Sequence, residues 1–158
     1  MKITFAFLVS LICTQLFTCC SKNNEVEPAN NSNHTSNSDT TKMIITIGSA
    51  VFTATLNNNA TATAFKAKLP MTINMTELNG NEKYFDLPNG LPTNASNPGT
   101  IQAGDLMMYG SNTLVLFYKT FSTSYSYTPL GRIDNPSGLA AALGSGSVTV
   151  RLELKQIN

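Results

Sequence analysis

Apolar and polar side chains alternate one by one in short segments that recur along the chain from Met43 onward. In the clearest segment, near the end of the chain, apolar residues alternate with Thr149, Arg151, Glu153 and Lys155. The apolar residues of this segment are Val148, Val150, Leu152 and Leu154. Successive side chains of a β-strand point to opposite faces, so the alternation predicts strands with one buried face.

The same alternation, interrupted by Gly, Asn and Pro residues, predicts eight strands in all. They are 43–47, 51–56, 71–76, 83–87, 106–109, 113–118, 130–133 and 148–155. Gly48 and Ser49 form the tight turn of an opening hairpin. Strand 113–118 is apolar almost throughout, which predicts a central position in the sheet.

Two short helices are predicted between the strands. Residues 60–69 follow three asparagines that offer an N-cap, and Pro70 ends this helix, which we expect to pack over a barrel mouth. Asn135-Pro136 caps the second helix, with Pro136 in its first turn, and Gly144 is its C-cap. Because closure removes edge strands, we expect a mainly β fold: a closed eight-stranded antiparallel β-barrel with two short helices.

The N-terminal residues have the pattern of a signal peptide. An apolar run from Ile3 to Phe17 follows a lysine and is too short to span a membrane comfortably. It ends in a sequence similar to a lipobox, in which a cysteine becomes the new N-terminus and carries acyl chains. Leu16 favours Cys19 as the lipidated residue, and Cys20 is the alternative. An ordinary signal peptide with incidental cysteines is the other interpretation.

The chain therefore divides into a signal peptide (1–18), a lipidated disordered tether (19–42) and a folded domain (43–158). Asn, Ser and Thr dominate the tether, so little apolar burial offsets the entropy cost of ordering it. Asp39-Thr40-Thr41 resembles an O-glycosylation signal of some bacteria, with Thr40 as the acceptor. We expect an exported protein, lipid-anchored to a membrane of the bacterial envelope, at the periplasmic face or the cell surface.

Several kinds of chemistry are excluded by residues that the predicted domain lacks. The single histidine, His34, falls in the tether, and all three cysteines precede residue 21. The domain therefore has no imidazole, no thiolate nucleophile and no disulfide, and we expect no cofactor and no metal. The net charge of +1 comes without any basic stripe, so nucleic acid is not an expected partner.

Three segments carry a family resemblance. They are 79–88 (NGNEKYFDLP), 104–118 (GDLMMYGSNTLVLFY) and 130–133 (LGRI). In this order and spacing they resemble the bacterial cyclophilin-like fold proteins, over essentially all of 43–158. The resemblance implies a cyclophilin-like eight-stranded barrel closed by two helices.

The resemblance does not extend to the residues of the cyclophilin reaction. True cyclophilins isomerise prolyl bonds with an arginine in a phenylalanine-lined pocket, surrounded by a glutamine, a tryptophan and a histidine. Residues 43–158 contain neither tryptophan nor histidine. Arg132 is the candidate catalytic residue for this reaction, although it lies later in the chain than the arginine of true cyclophilins.

The candidate ligand-binding residues surround a loop rich in aromatic and hydroxyl side chains. They are Glu82, Phe117, Phe121, Tyr125, Tyr127 and Arg132. The guanidinium of Arg132 suits a carboxylate or a peptide carbonyl, or a salt bridge to Asp134 or Glu82 at the barrel end. Glu82 and Asp105 are also candidate general acids or bases, unless they serve as a turn carboxylate and a strand cap.

Three functions are consistent with these features. The first is an envelope-anchored binding module for a peptide or small ligand, without catalysis. The second is a weak peptidyl-prolyl isomerase, because one donor in a desolvated pocket suffices for some catalysis. The third is a scaffold without a ligand.

Overall fold

The computed structural model describes residues 41–156, which contain ten strands and two short helices. The strands are β1 Lys42–Ile47, β2 Ala50–Leu56, β3 Met71–Leu78, β4 Glu82–Asp86, β5 Thr100–Ile101, β6 Asp105–Tyr109, β7 Thr113–Phe117, β8 Phe121–Ser122, β9 Thr128–Ile133 and β10 Val148–Leu154. The helices are α1 Ala60–Lys66 and α2 Leu139–Leu143. The predictions for the signal peptide, Cys19, Cys20, His34 and Thr40 lie outside the described residues.

Eight of these strands form one closed antiparallel barrel, in the order β1-β10-β3-β4-β7-β6-β9-β2. They are the eight strands predicted from the alternation, so the fold class is confirmed. β1 and β2 form the predicted hairpin, and Gly48 in its turn has a φ of +57°, a conformation that favours glycine. β1 begins at Lys42, the residue that the sequence analysis placed at the end of the tether.

Alternation along each strand places one row of apolar side chains inside the barrel. In β10, for example, Val150 and Leu152 are buried whereas Thr149 and Arg151 are exposed. In β7, the four consecutive residues from Leu114 to Phe117 are all buried. A closed barrel has no central strand, but β7 is covered on both faces, as its continuous apolar pattern predicts.

The outer face of β7 is covered by a second layer that the sequence analysis did not predict. β5 and β8 pair with each other in a small two-stranded sheet outside the barrel. A second apolar cluster joins this sheet to the outer faces of β6 and β7. It consists of Ile101, Met107, Val115, Phe117 and Tyr127, with Tyr84 and Phe121 packed against it. Residues 121–127 are therefore not a plain loop, because they begin with β8.

Both helices are shorter than predicted. α1 ends at Lys66, and its Asn59 cap accepts a hydrogen bond from the Ala62 amide at 2.8 Å. The prediction that Asn135 caps α2 is wrong, because Asn135 accepts from the Ser137 amide and caps a turn, and α2 begins only at Leu139. The predicted C-cap, Gly144, is confirmed. Within residues 41–156, no helix has the length and apolar character that crossing a bilayer requires.

Candidate functional site

A pocket of about 340 Å³ lies on the outer face of the barrel, over β4 and β7. The strand register explains which side chains meet there. Tyr84 lies opposite Val115 and Asp86 lies opposite Thr113, so these outward-facing residues form two adjacent rows. Tyr109 of β6 lies on the other side of Thr113 and adds a third row. Val115 is buried and belongs to the floor of the pocket.

Three tyrosine rings form one side of the pocket. The ring centroids of Tyr109 and Tyr125 are 6.1 Å apart with the planes at 90°, and those of Tyr109 and Tyr127 are 5.6 Å apart. Tyr127 also packs edge-on against Phe117 at 5.4 Å. Backbone hydrogen bonds in both directions between Ser96 and Tyr127, each 3.0 Å long, tie this segment to the preceding long loop.

The pocket also contains two carboxylates, both on the outer face of β4. Glu82 is only 9% exposed, and no ion pair or hydrogen bond within residues 41–156 neutralises its carboxylate. Burial raises the pKa of Glu82, and the nearby charge of Glu77 raises it further. Asp86 is exposed and accepts a hydrogen bond from the Thr113 hydroxyl at 2.6 Å. Within residues 41–156 the one buried side-chain atom without a hydrogen-bond partner is Asn81 Oδ1. The Glu82 carboxylate therefore remains open to the pocket, although most of the residue is buried.

A buried lysine lies on the opposite, inner face of β4. Lys83 Nζ donates to the carbonyl oxygens of Gly144 at 2.9 Å and Gly146 at 2.6 Å, and to the carboxylate of Glu77. Tyr118 donates to the other oxygen of Glu77 at 2.7 Å. Burial, this hydrogen bond and the charges of both glutamates raise the pKa of Tyr118 to about 12. These hydrogen bonds fix the position of β4, the strand that carries Glu82. The buried network was not predicted from the sequence.

The structure brings together three of the six predicted ligand-binding residues. Glu82, Tyr125 and Tyr127 line the pocket. Phe117 is fully buried beneath the pocket, and Phe121 packs against it with centroids 5.7 Å apart, so neither lines the pocket. The other seven lining residues were not predicted from the sequence, and they are Leu78, Asn79, Tyr84, Asp86, Tyr109, Thr113 and Val115. The alternation of side chains along β4 could have identified Tyr84 and Asp86 as pocket residues, because both lie on the same face of the strand as Glu82.

Arg132 is not among the pocket-lining residues. Its side chain is 52% exposed, and its Nε lies 3.6 Å from Asp105 Oδ1 on the neighbouring strand. The suggested salt bridge from Arg132 to Asp134 or Glu82 is therefore wrong, because Asp134 pairs instead with Lys42 at 2.9 Å. The other oxygen of Asp105 accepts from the Gln102 amide at 2.7 Å, in keeping with a capping role at the start of β6. A ligand-binding or catalytic role for Arg132 stays a prediction.

Within residues 41–156, no three side chains among His, Cys, Asp and Glu lie close enough together to hold a metal ion. The lining combines aromatic surface, a few hydroxyl groups and two carboxylates. Binding sites for small molecules typically combine apolar walls with a few polar groups in this way.

Comparison with known proteins gives one match. A family model described as "Cyclophilin-like family" matches residues 45–153, which is more than half of the chain and includes every pocket-lining residue. No curated protein and no solved structure matches the chain.

Proposed function

Because the chain belongs to the cyclophilin-like family, we propose that its barrel is a binding module that holds a peptide or small ligand in the pocket over β4 and β7. The function requires no catalytic step. The barrel supplies the floor of the pocket and Tyr109, and the segment that ends at Tyr127 supplies the other two rings of the tyrosine side.

One observation carries this proposal: the pocket combines a carboxylate that no group within residues 41–156 pairs with, on a largely buried residue, and two tyrosines that remain largely exposed. Glu82 is 9% exposed, whereas Tyr109 and Tyr125 are 48% and 62% exposed. A carboxylate that faces a pocket without a protein partner is available to a ligand, and large exposed aromatic side chains are typical of binding surfaces. A ligand in the pocket would use both features, which a ligand-free scaffold leaves unexplained.

Chemical-shift mapping on the isotope-labelled full chain tests the proposal. The probes are short peptides and small organic molecules of positive, negative and zero charge. We expect at least one class to move the resonances of Tyr84, Tyr109 and Tyr125 together, and Tyr125→Ser to weaken that binding. Tyr125 is mostly exposed, so this substitution leaves the barrel intact. If no probe of any charge moves these resonances, the binding function is refuted.

A weak peptidyl-prolyl isomerase is the alternative function. It would depend on Arg132, the candidate catalytic residue, but that side chain lies outside the pocket beside Asp105. No arginine is among the lining residues, so a prolyl peptide in the pocket would lack that donor. The binding module is therefore the better-supported proposal.

We further propose that the barrel is carried at the bacterial envelope by a lipid on Cys19, or on Cys20, through the tether 19–42. The support is the apolar run that ends at the cysteine pair and the composition of the tether. Palmitate labelling of producing cells tests this proposal. We expect Cys19→Ala to abolish labelling while Cys20→Ala retains it, and labelling that survives the double substitution would contradict lipidation at this pair.

A further inference from the structure

The charge of the pocket is one-sided. Glu82 and Asp86 contribute two carboxylates, and no lysine, arginine or histidine is among the lining residues, all of which fall within residues 41–156. Lys83 is the neighbour of Glu82 in sequence, but strand alternation turns it to the inner face, where it pairs with Glu77. An anionic ligand would therefore meet two negative charges without a counter-charge in the lining.

Glu82 is the feature that points to a ligand rather than to a solvated acidic surface. Its residue is more than nine-tenths buried, yet within residues 41–156 its carboxylate has no ion pair and no hydrogen bond. The carboxylate oxygens are not sealed from solvent, so they are available to a ligand in the pocket. A ligand that pairs with this carboxylate must bring N–H or O–H donors, and a positive charge strengthens such bonds.

The tyrosines favour a cation for a second, independent reason. Tyr109 meets Tyr125 edge-to-face at 6.1 Å and Tyr127 at 5.6 Å, so rings of different orientation enclose one side of the pocket. Tyr84 lies across from them on β4. The faces of aromatic rings carry a negative quadrupole that attracts ammonium and guanidinium groups, and desolvation increases this attraction.

We propose that this pocket selects an organic ammonium group that carries N–H donors, a protonated amine on a short alkyl chain, with Glu82 as its counter-ion. The inference rests on the proposed function and specifies the chemistry of its ligand. The ammonium donates to the Glu82 carboxylate, while the tyrosine rings contact its adjacent methylene groups and its charge. Asp86 adds a second negative charge at the more exposed end of the same strand face.

Titration of the full chain, purified in a neutral detergent, with four matched probes tests the proposal. The probes are n-butylammonium, 1-butanol, butyrate and n-butyltrimethylammonium, which share the chain and differ in charge or in N–H donors. We expect n-butylammonium to shift the resonances of Glu82, Tyr109 and Tyr125 with an affinity at least about tenfold higher than that of 1-butanol. Butyrate should not bind, and the trimethylated probe should bind more weakly because it lacks a donor.

Two variants localise the effect. Glu82→Gln removes the counter-ion and should weaken n-butylammonium binding by about tenfold. Glu153→Gln makes the same chemical change at an exposed carboxylate on β10 that pairs with Arg151, and it should leave the affinity unchanged.

The outcomes separate this inference from the proposed function. If 1-butanol or butyrate shifts the same resonances as strongly, the pocket binds ligands but the ammonium proposal is overturned. Equal or tighter binding of the trimethylated probe, or an unchanged affinity in Glu82→Gln, also overturns it. If no probe of any charge moves these resonances, the ammonium proposal and the binding function fail together.

Discussion

Glu77 and Lys83 lie directly opposite each other on β3 and β4 and form an ion pair on the inner face of the barrel. The lysine side chain is fully buried, whereas 22% of the glutamate side chain remains exposed. The ammonium also donates to the carbonyls of Gly144 and Gly146, in the segment that follows α2. One buried charge thereby connects two strands with the segment that leads into β10.

We expect Lys83→Met to lower the free energy of unfolding by about 3 kcal/mol, near the low end of the range for breaking a buried ion pair. The substitution retains an apolar stem but removes the buried ammonium that donates to the Glu77 carboxylate and to two carbonyls, which leaves only Tyr118 and the Gly80 amide as donors to Glu77. Urea denaturation measures the change. Lys119→Met is the matched control, because Lys119 is exposed, and it should cost far less. Equal losses in the two variants would contradict the stabilising role of the buried pair.

Glu77 gives the same network a pH dependence. Burial alone would raise the pKa of Glu77, but hydrogen bonds from Lys83 and Tyr118 and the charge of Lys83 lower it below its ordinary value of 4.5. A carboxyl group with a depressed pKa in the folded state stabilises the fold above its unfolded pKa, and this stabilisation is lost as the pH falls. We expect Glu77→Gln to lose stability at neutral pH and to show a smaller acid-induced loss than the parent chain, measured by urea denaturation from pH 7 down to about pH 3.

Glu82 should behave in the opposite way. Burial and the charge of Glu77 raise its pKa above 4.5, so the folded state keeps this proton at pH values where the unfolded state has lost it. Stability from this group is therefore present below its unfolded pKa and lost as the pH rises through the raised pKa. We expect Glu82→Gln to raise the urea midpoint at neutral pH, with the gain disappearing below about pH 4. Glu153→Gln should show no comparable gain, and a destabilised Glu82→Gln variant at neutral pH would contradict this account.

We expect Arg132→Ala to lower the free energy of unfolding by less than about 1 kcal/mol, because exposed ion pairs contribute little. The guanidinium is 52% exposed and 3.6 Å from Asp105. Arg151→Ala is a matched control on β10, since that side chain is 55% exposed and also pairs with a carboxylate. A proline cis/trans isomerisation assay on the same variants tests the alternative function. Activity of the parent chain that is lost only in Arg132→Ala would favour the isomerase over the binding module.

The barrel could be predicted from the sequence because its strands are long enough to show alternation. β10 has seven residues with a clear two-residue period, whereas β5 and β8 have two residues each and no period to detect. The second layer, and with it the covered outer face of β7, therefore appears only in the structure.

The candidate site was predictable in part for a related reason. Glu82, Tyr125 and Tyr127 stand out by residue type, but their distance from Arg132 depends on the order of strands around the barrel, which alternation does not encode. Lys83 was missed because lysine is rarely buried. Its inward orientation could have been predicted from the alternation along β4, because Lys83 lies on the same face of the strand as the inward-facing Phe85.

The structure explains why residue 131 in the segment 130–133 (LGRI) is a glycine. A Cβ at this position would lie 2.4 Å from the Thr55 carbonyl oxygen and 3.0 Å from the Leu56 Cα, so the backbone of β2 occupies the space. Gly131 pairs with Leu56 on one side and with Leu106 on the other, so neither neighbouring strand can move away without disturbing barrel closure. The constraint is one of space, because the φ of Gly131 is not positive.

We therefore expect Gly131→Ala to lower the free energy of unfolding by about 3 kcal/mol, the upper end of the range for overpacking, because the colliding atoms belong to the backbone. Gly146→Ala is the matched control. A Cβ at Gly146 meets nothing within 4 Å, and its carbonyl can still accept from Lys83. This control should be neutral or slightly stabilising, since alanine restricts the unfolded chain. Urea denaturation of both variants decides the matter, and a Gly131→Ala variant as stable as the control would show that β2 and β9 can separate without cost.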